Sequence, residues 1–215
     1  MSAEPGQGRV QRTIVAWLVR SPRTPSGARS GAARRETEMA MITCGRQTAA
    51  AQLVVGSTSY IADFTGHISL MYDPNVLSRF TSGATNVVSL LIQEDVMSGV
   101  GPVIGLITWV MDPNRVPPES TMTSVTRGQP FPAITDIIFN INVTIPNLLP
   151  GITMQNKIPS NPGPSILRNA NTTNFPPQND IYQLVEPVEL EDVNNPGPVL
   201  ASINRFPTTV NAPTP

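Results

Sequence analysis

A composition break near residue 39 limits how much of this chain can belong to one packed unit. Residues 1–38 hold seven arginines and no Asn, Asp, Lys, Phe or Tyr. Residues 39–215 hold all sixteen asparagines, twenty of the twenty-three prolines and the one lysine, Lys157. Charge changes sign at the same place. The first segment sets seven Arg against Glu4, Glu36 and Glu38, and the remainder sets seven Lys+Arg against twelve Asp+Glu, so the overall −1 is a cancellation. The break predicts a disordered basic arm over 1–38 and a single domain over 39–215. The 177 residues of that domain suffice for a core without staples, because a chain of this size buries roughly 70% of its unfolded surface.

The arm lacks the marks of a secretory signal. Its apolar stretch Ile14–Val19 is six residues long and Arg20 interrupts it. The composition fits a targeting segment, a disordered arm, or upstream codons read as protein, and it leaves the compartment open. Deleting 1–38 is expected to leave the melting temperature unchanged. The longest apolar stretch, Val103–Met111, is nine residues including a glycine, well short of the ~18–20 that span a bilayer as a helix. The chain is therefore expected to be soluble, with no transmembrane segment.

Strand signals dominate the body. In Asp136–Ile145, Ile137, Phe139, Ile141, Val143 and Ile145 fall on one face, with Ile138, Asn140, Asn142 and Thr144 on the other. Period two in β-branched and aromatic residues describes a strand with one buried face. Asn86–Met97 and Val103–Met111 are apolar on both faces and are read as central strands covered on both sides, joined as a hairpin. A helix over 86–97 is the competing assignment. Thr65-Gly66 suggests a further hairpin between 59–64 and 67–72. Weaker strands are read at 52–55, 120–125, 152–156, 181–190 and 199–206. Residues 157–180 read as a long Pro/Asn-rich surface loop, and 207–215 as an extended tail. Many short strands with Pro/Asn/Gly turns predict an all-β, antiparallel β-sandwich or flattened barrel.

Chemical motifs are scarce. His67 is the only histidine, so any histidine mechanism must use it, with Asp63 or Asp73 as the available acids. No Gly-x-Ser-x-Gly elbow is present, and Cys44 with His67 carries no local signature. One Cys and one His make structural zinc improbable, and a lone Cys44 forbids an intrachain disulfide. For calcium, Glu189 and Glu191 share a strand face and stand beside Asp192, which makes a weak metal site, with a solvated acidic edge as the plainer reading. The same acids could be drawn as a glycosidase pair, although nothing in their spacing selects one. Phosphate cradles are absent. Asn142 and Asn171 begin glycosylation-type triplets, the second assigned to a loop. An acidic body with a single lysine speaks against a nucleic-acid groove.

No catalytic residue, cofactor or firm metal site emerges. The first reading is accordingly a non-enzymatic structural or assembly module that works through a protein partner or self-association. The alternatives are a carrier of a small apolar ligand held between sheets, where eight methionines suit an adaptable pocket, and a hydrolase using His67.

Overall fold

The computed structural model describes residues 39–83, 85–157 and 165–213. Thirteen strands and one helix follow in order: β1 (Ala40–Val55), β2 (Thr58–Tyr72), α1 (Val76–Thr81), β3 (Val87–Gly101), β4 (Gly105–Met111), β5 (Ser120–Ser124), β6 (Ala133–Phe139), β7 (Ile141–Thr144), β8 (Thr153–Asn156), β9 (Ser165–Thr172), β10 (Asp180–Leu184), β11 (Val188–Asp192), β12 (Asn195–Arg205) and β13 (Thr208–Asn211). All strand pairings are antiparallel, and the sheet closes on itself through β12–β1 and β3–β5. The all-β antiparallel expectation holds, in its barrel form.

The closure has a simple logic. At one end of the barrel the ring runs β1-β2-β3-β5-β6-β9-β10-β13 and back to β1; at the other it runs β1-β2-β3-β4-β7-β8-β11-β12 and back to β1. The strands β1, β2 and β3 are long enough to serve both rings. Each remaining stave is two short strands end to end: β4 then β5, β6 then β7, β8 then β9, β10 then β11, β12 then β13. The result is an eight-stave up-and-down barrel with neighbours in chain order. Eight staves give an interior just wide enough for side chains to fill or for one small ligand to occupy.

Alternation sends every second residue inward, and bulges reset its phase. On β1 the buried positions are Cys44, Arg46 and Thr48, then Ala51 and Leu53. The register shifts between Thr48 and Ala51, where Ala50 takes φ 53°. On β3 the buried positions are Val88, Leu90 and Ile92, then Asp95 and Met97. Here Ser69 pairs with Glu94 while Leu70 pairs with Ile92, so one extra residue sits in β3. That insertion turns Asp95 inward.

The core gathers at the β4–β7 end. Trp109 stacks on Phe206 at 4.6 Å between ring centroids and meets Phe139 at 5.3 Å, and Phe206 meets Phe64 at 5.3 Å. Phe64 lies over its cross-strand partner Gly99, where an added Cβ would come within 2.7 Å of the ring. The other end is capped by α1, whose buried Phe80 packs among Val88, Leu90, Met122 and Ala133, with Tyr72, Phe131 and Phe175 around them.

Several expectations need correction. Thr65-Gly66 makes no turn: β2 is one strand, and a Cβ on Gly66 would stand 2.0 Å from the Val96 carbonyl oxygen, so glycine serves close approach of β2 to β3. β3 and β4 do form a hairpin, but they are covered on one side only, because Val100 and Leu106 point outward. Residues 165–172, expected in a loop, form β9; its inward Asn169 and Thr172 hide the apolar alternation, and Asn171 lies on that strand. Residues 208–211, expected in a tail, form β13 between β1 and β10. The arm 1–38 and residues 158–164 of the expected loop lie outside the described residues.

Candidate functional site in the barrel interior

Arg46 occupies an inward position midway along β1, directly across from Gly66, an inward position with no side chain. The arginine is 1% exposed. Its Nη1 donates to Oδ1 of Asp95, and Oδ2 of Asp95 accepts from Trp109 Nε1 at 3.0 Å. The guanidinium carbon lies 5.9 Å from the Trp109 ring centroid, within cation–π range. Three strands thus lock one ion pair: β1 supplies the cation, the β3 bulge the anion, and β4 the indole that holds the anion in place.

The lock uses only part of the guanidinium. Nε and Nη2 of Arg46 are buried and have no hydrogen-bond partner among the described residues. These two atoms form the edge that grips a pair of oxygens side by side. The same chain shows this use elsewhere: Arg168 holds Oδ1 and Oδ2 of Asp136 through Nε and Nη2 at 2.7 and 2.8 Å. In water-poor surroundings each unmet donor costs about 1–3 kcal/mol.

Around Arg46 the interior is polar. Thr48 bonds Thr208 at 2.7 Å and Thr135 bonds Thr172 at 2.7 Å, all four buried. Arg46 and Asp180 are both cross-strand partners of Val210, on opposite sides of it. Asp180 is buried, its Oδ2 has no partner among the described residues, and desolvation pushes its carboxyl up to about 6. Desolvation raises the Tyr182 hydroxyl as well, and it drives the Cys44 thiol to about 12.

A gap in the wall lies beside the ion pair. β3 pairs with β5 over Val87–Leu90 and with β4 over Val96–Gly101, which leaves 91–95 without a partner on that side. The intervening segment 112–119 leaves the ladder for local reasons. Asp112 Oδ1 accepts the Asn114 amide at 2.9 Å, and Pro113, Pro117 and Pro118 have no N–H to offer a neighbouring strand. A narrow cleft lies there, without room for a water-sized sphere, lined by Ile92, Asp95, Met111, Pro117, Pro118, Ile138, Phe139 and Asn140. It is mostly apolar and reaches the partner of Arg46.

The residues singled out from sequence sit elsewhere. His67 faces outward on β2, with Nε2 3.3 Å from Glu94 Oε2, while Cys44 is buried on the inner side of the same sheet. The acids expected beside His67 are engaged apart from it: Asp63 Oδ1 accepts from Ala50 N at 2.7 Å, and Asp73 holds Arg79 at 3.1 Å. Desolvation is the largest single influence on the Asp73 carboxyl and raises it, but the Asn75 amide, the Asn75 side chain and Arg79 together outweigh it and hold the group below its ordinary value. Glu189 is exposed, whereas Glu191 is buried and accepts from Gln155 Nε2 at 3.0 Å and Gly197 N at 2.8 Å. Asp192 Oδ1 accepts from Asn194 N at 2.9 Å. Among the described residues no group of three His, Cys, Asp or Glu side chains converges as a metal site. Arg46, Asp95 and Trp109 escaped sequence reasoning, since nothing in their spacing announces a site.

No family model matches the chain, and no curated protein matches it either. In the solved structures, the chain is similar to DynF from the dynemicin biosynthesis pathway of Micromonospora chersina. The two are 18% identical, with a TM-score of 0.66 over 80% of each chain. At that identity the likeness is one of fold.

Proposed function

We propose that this barrel is a non-enzymatic binding protein that carries one small, largely apolar molecule in its interior. The observation that supports this reading is the Nε/Nη2 edge of Arg46, buried inside the barrel without a partner among the described residues, while its ion-pair partner Asp95 lines a narrow apolar cleft in the wall. Small-molecule sites combine apolar walls with a few placed polar groups. The relation to DynF adds only that a barrel of this shape occurs in a biosynthetic pathway. Titration of the full-length protein with 1-aminoanthracene, a neutral apolar fluorophore, tests the proposal. One saturable site per chain, competed by other apolar molecules, is expected. Absence of saturable binding, together with absence of any co-purifying small molecule in native mass spectra, would overturn it.

A separate observation favours self-association or partner docking as a second reading. Ile61, Val100, Val103 and Leu106 are 52%, 66%, 72% and 50% exposed, and Val100 pairs directly with Leu106 on the outer wall. Light scattering on the wild type and on Val100→Lys tests this. The reading expects an oligomer that the lysine dissociates, and a wild type that is monomeric at high concentration would remove it.

A further inference from the structure

If the barrel binds a small molecule, the charges around Arg46 restrict that molecule's polar end. We infer that the interior site takes a neutral ligand bearing a carbonyl-type oxygen, such as a ketone, quinone, ester or amide, in preference to a carboxylate. The oxygen accepts from Nε and Nη2 of Arg46.

Charge balance carries the inference. Among the described residues Arg46 is the sole buried base, while Asp95, Asp112, Asp180 and Glu191 are buried acids. Asp112 has its own partner in Arg115, at 3.2 Å. The Arg46 charge is already matched by Asp95 through Nη1. Asp180 adds a second carboxylate across Val210, ionised at neutral pH given its shift to about 6. A ligand carboxylate on the free edge would share one guanidinium with Asp95 and leave the lumen with surplus negative charge. Burial makes such a surplus unfavourable. A neutral carbonyl offers two lone pairs to the two open donors and leaves the charge balance unchanged. On the Asp95 side of the pair the narrow cleft is walled by Ile92, Met111, Phe139 and two prolines, so a ligand body that widens it meets apolar side chains.

Three probes of one shape separate the possibilities: acetophenone carries a carbonyl, benzoate a carboxylate, and ethylbenzene no acceptor. The readout is the indole N–H resonance of Trp109 in the full chain with Trp17→Phe, which leaves a single tryptophan. At a pH of about 7.5, acetophenone is expected to bind at least about tenfold more tightly than benzoate or ethylbenzene. In Asp95→Asn, which removes the competing carboxylate, benzoate is expected to gain at least about tenfold. The wild-type panel decides the matter even if that variant does not fold. Benzoate binding as tightly as acetophenone would overturn the inference while leaving the carrier reading intact. Ethylbenzene matching acetophenone would do the same, by showing that Arg46 takes no part. No gain for benzoate in a folded Asp95→Asn protein would overturn the charge argument. If none of the three probes binds, and 1-aminoanthracene also fails, both readings fall.

Discussion

Replacing Arg46 with methionine tests the interior lock most directly. Methionine keeps most of the stem volume and removes the charge. The Nη1 bond to Asp95 disappears, as does the cation–π contact with Trp109 at 5.9 Å. Asp95, 1% exposed, is left with the Trp109 indole as its remaining side-chain donor. Removing one member of a buried pair costs about 3–5 kcal/mol, because the other charge stays buried without compensation. The loss is offset in part, since the two unmet donors of Arg46, taken at about 1 kcal/mol each, vanish too. A net loss of about 1–3 kcal/mol follows. For a domain of this size that corresponds to a melting temperature lower by about 2–12 °C.

The assay is urea unfolding followed by far-ultraviolet circular dichroism, which does not depend on the emission of Trp109. Arg46→Met/Asp95→Leu supplies the control. With both charges gone the unpaired acid no longer exists, so the double variant should recover most of the loss, a coupling of about 2 kcal/mol or more. The reasoning is refuted if Arg46→Met costs less than about 1 kcal/mol, or if the double variant is as unstable as the two single losses added together.

Three further outcomes follow from other parts of the barrel. Asp180 has a folded-state pKa raised from 3.8 to about 6 by burial, so the folded protein binds a proton that the unfolded chain releases between those values. Stability should therefore rise as pH falls from above 6 towards 4 at this group, and Asp180→Asn should flatten that part of the profile in pH-dependent urea melts; an unchanged slope in the variant would contradict this. Gly66→Ala should destabilise by about 3 kcal/mol or more in the same melts, since its Cβ meets backbone at 2.0 Å and backbone cannot swing aside; a loss below about 1 kcal/mol would mean the strands separate easily. The Cys44 thiol, buried and raised to about 12, should react with Ellman's reagent at least about a hundredfold more slowly in the native protein than in urea, and comparable rates would show that the lumen is open to the reagent.

The fold was legible wherever one side of a strand was apolar and the other was not. Ile137, Phe139, Ile141, Val143 and Ile145 are all buried, as their alternation predicts. The 86–111 hairpin was legible from its two apolar runs, although its outward valines were misread as covered. Polar inward residues were the blind spot: β9 and β13 point Asn169, Thr172 and Thr208 inward, so neither announced itself as a strand. Bulges were the second. Simple alternation from Val88, Leu90 and Ile92 would place Glu94 inside and Asp95 outside, and the extra residue near Gln93 reverses this. The ion pair at the centre of the candidate site depends on that reversal, so no count of spacings along the chain could have found it. Gly66 was misleading for a related reason. A glycine inside a strand marks either a turn or a close approach, and only the neighbouring strand decides which.

The two functional readings use opposite faces of one wall, which makes them separable. The parity that points Asp95 and Met97 inward points Val100 outward, and the same staves carry both features. A substitution at Val100 therefore changes the outer surface without touching Arg46, and a substitution at Arg46 changes the lumen without touching Val100. If binding of 1-aminoanthracene survives Val100→Lys while association does not, the lumen acts independently of assembly. If binding is lost along with association, the occupied barrel requires a neighbour. An interior built only for rigidity would gain from apolar replacements of the buried pair, by about 1–4 kcal/mol in comparable cases. A doubly substituted barrel that is as stable as the wild type yet no longer binds would locate the purpose of Arg46 and Asp95 in the ligand rather than in the fold.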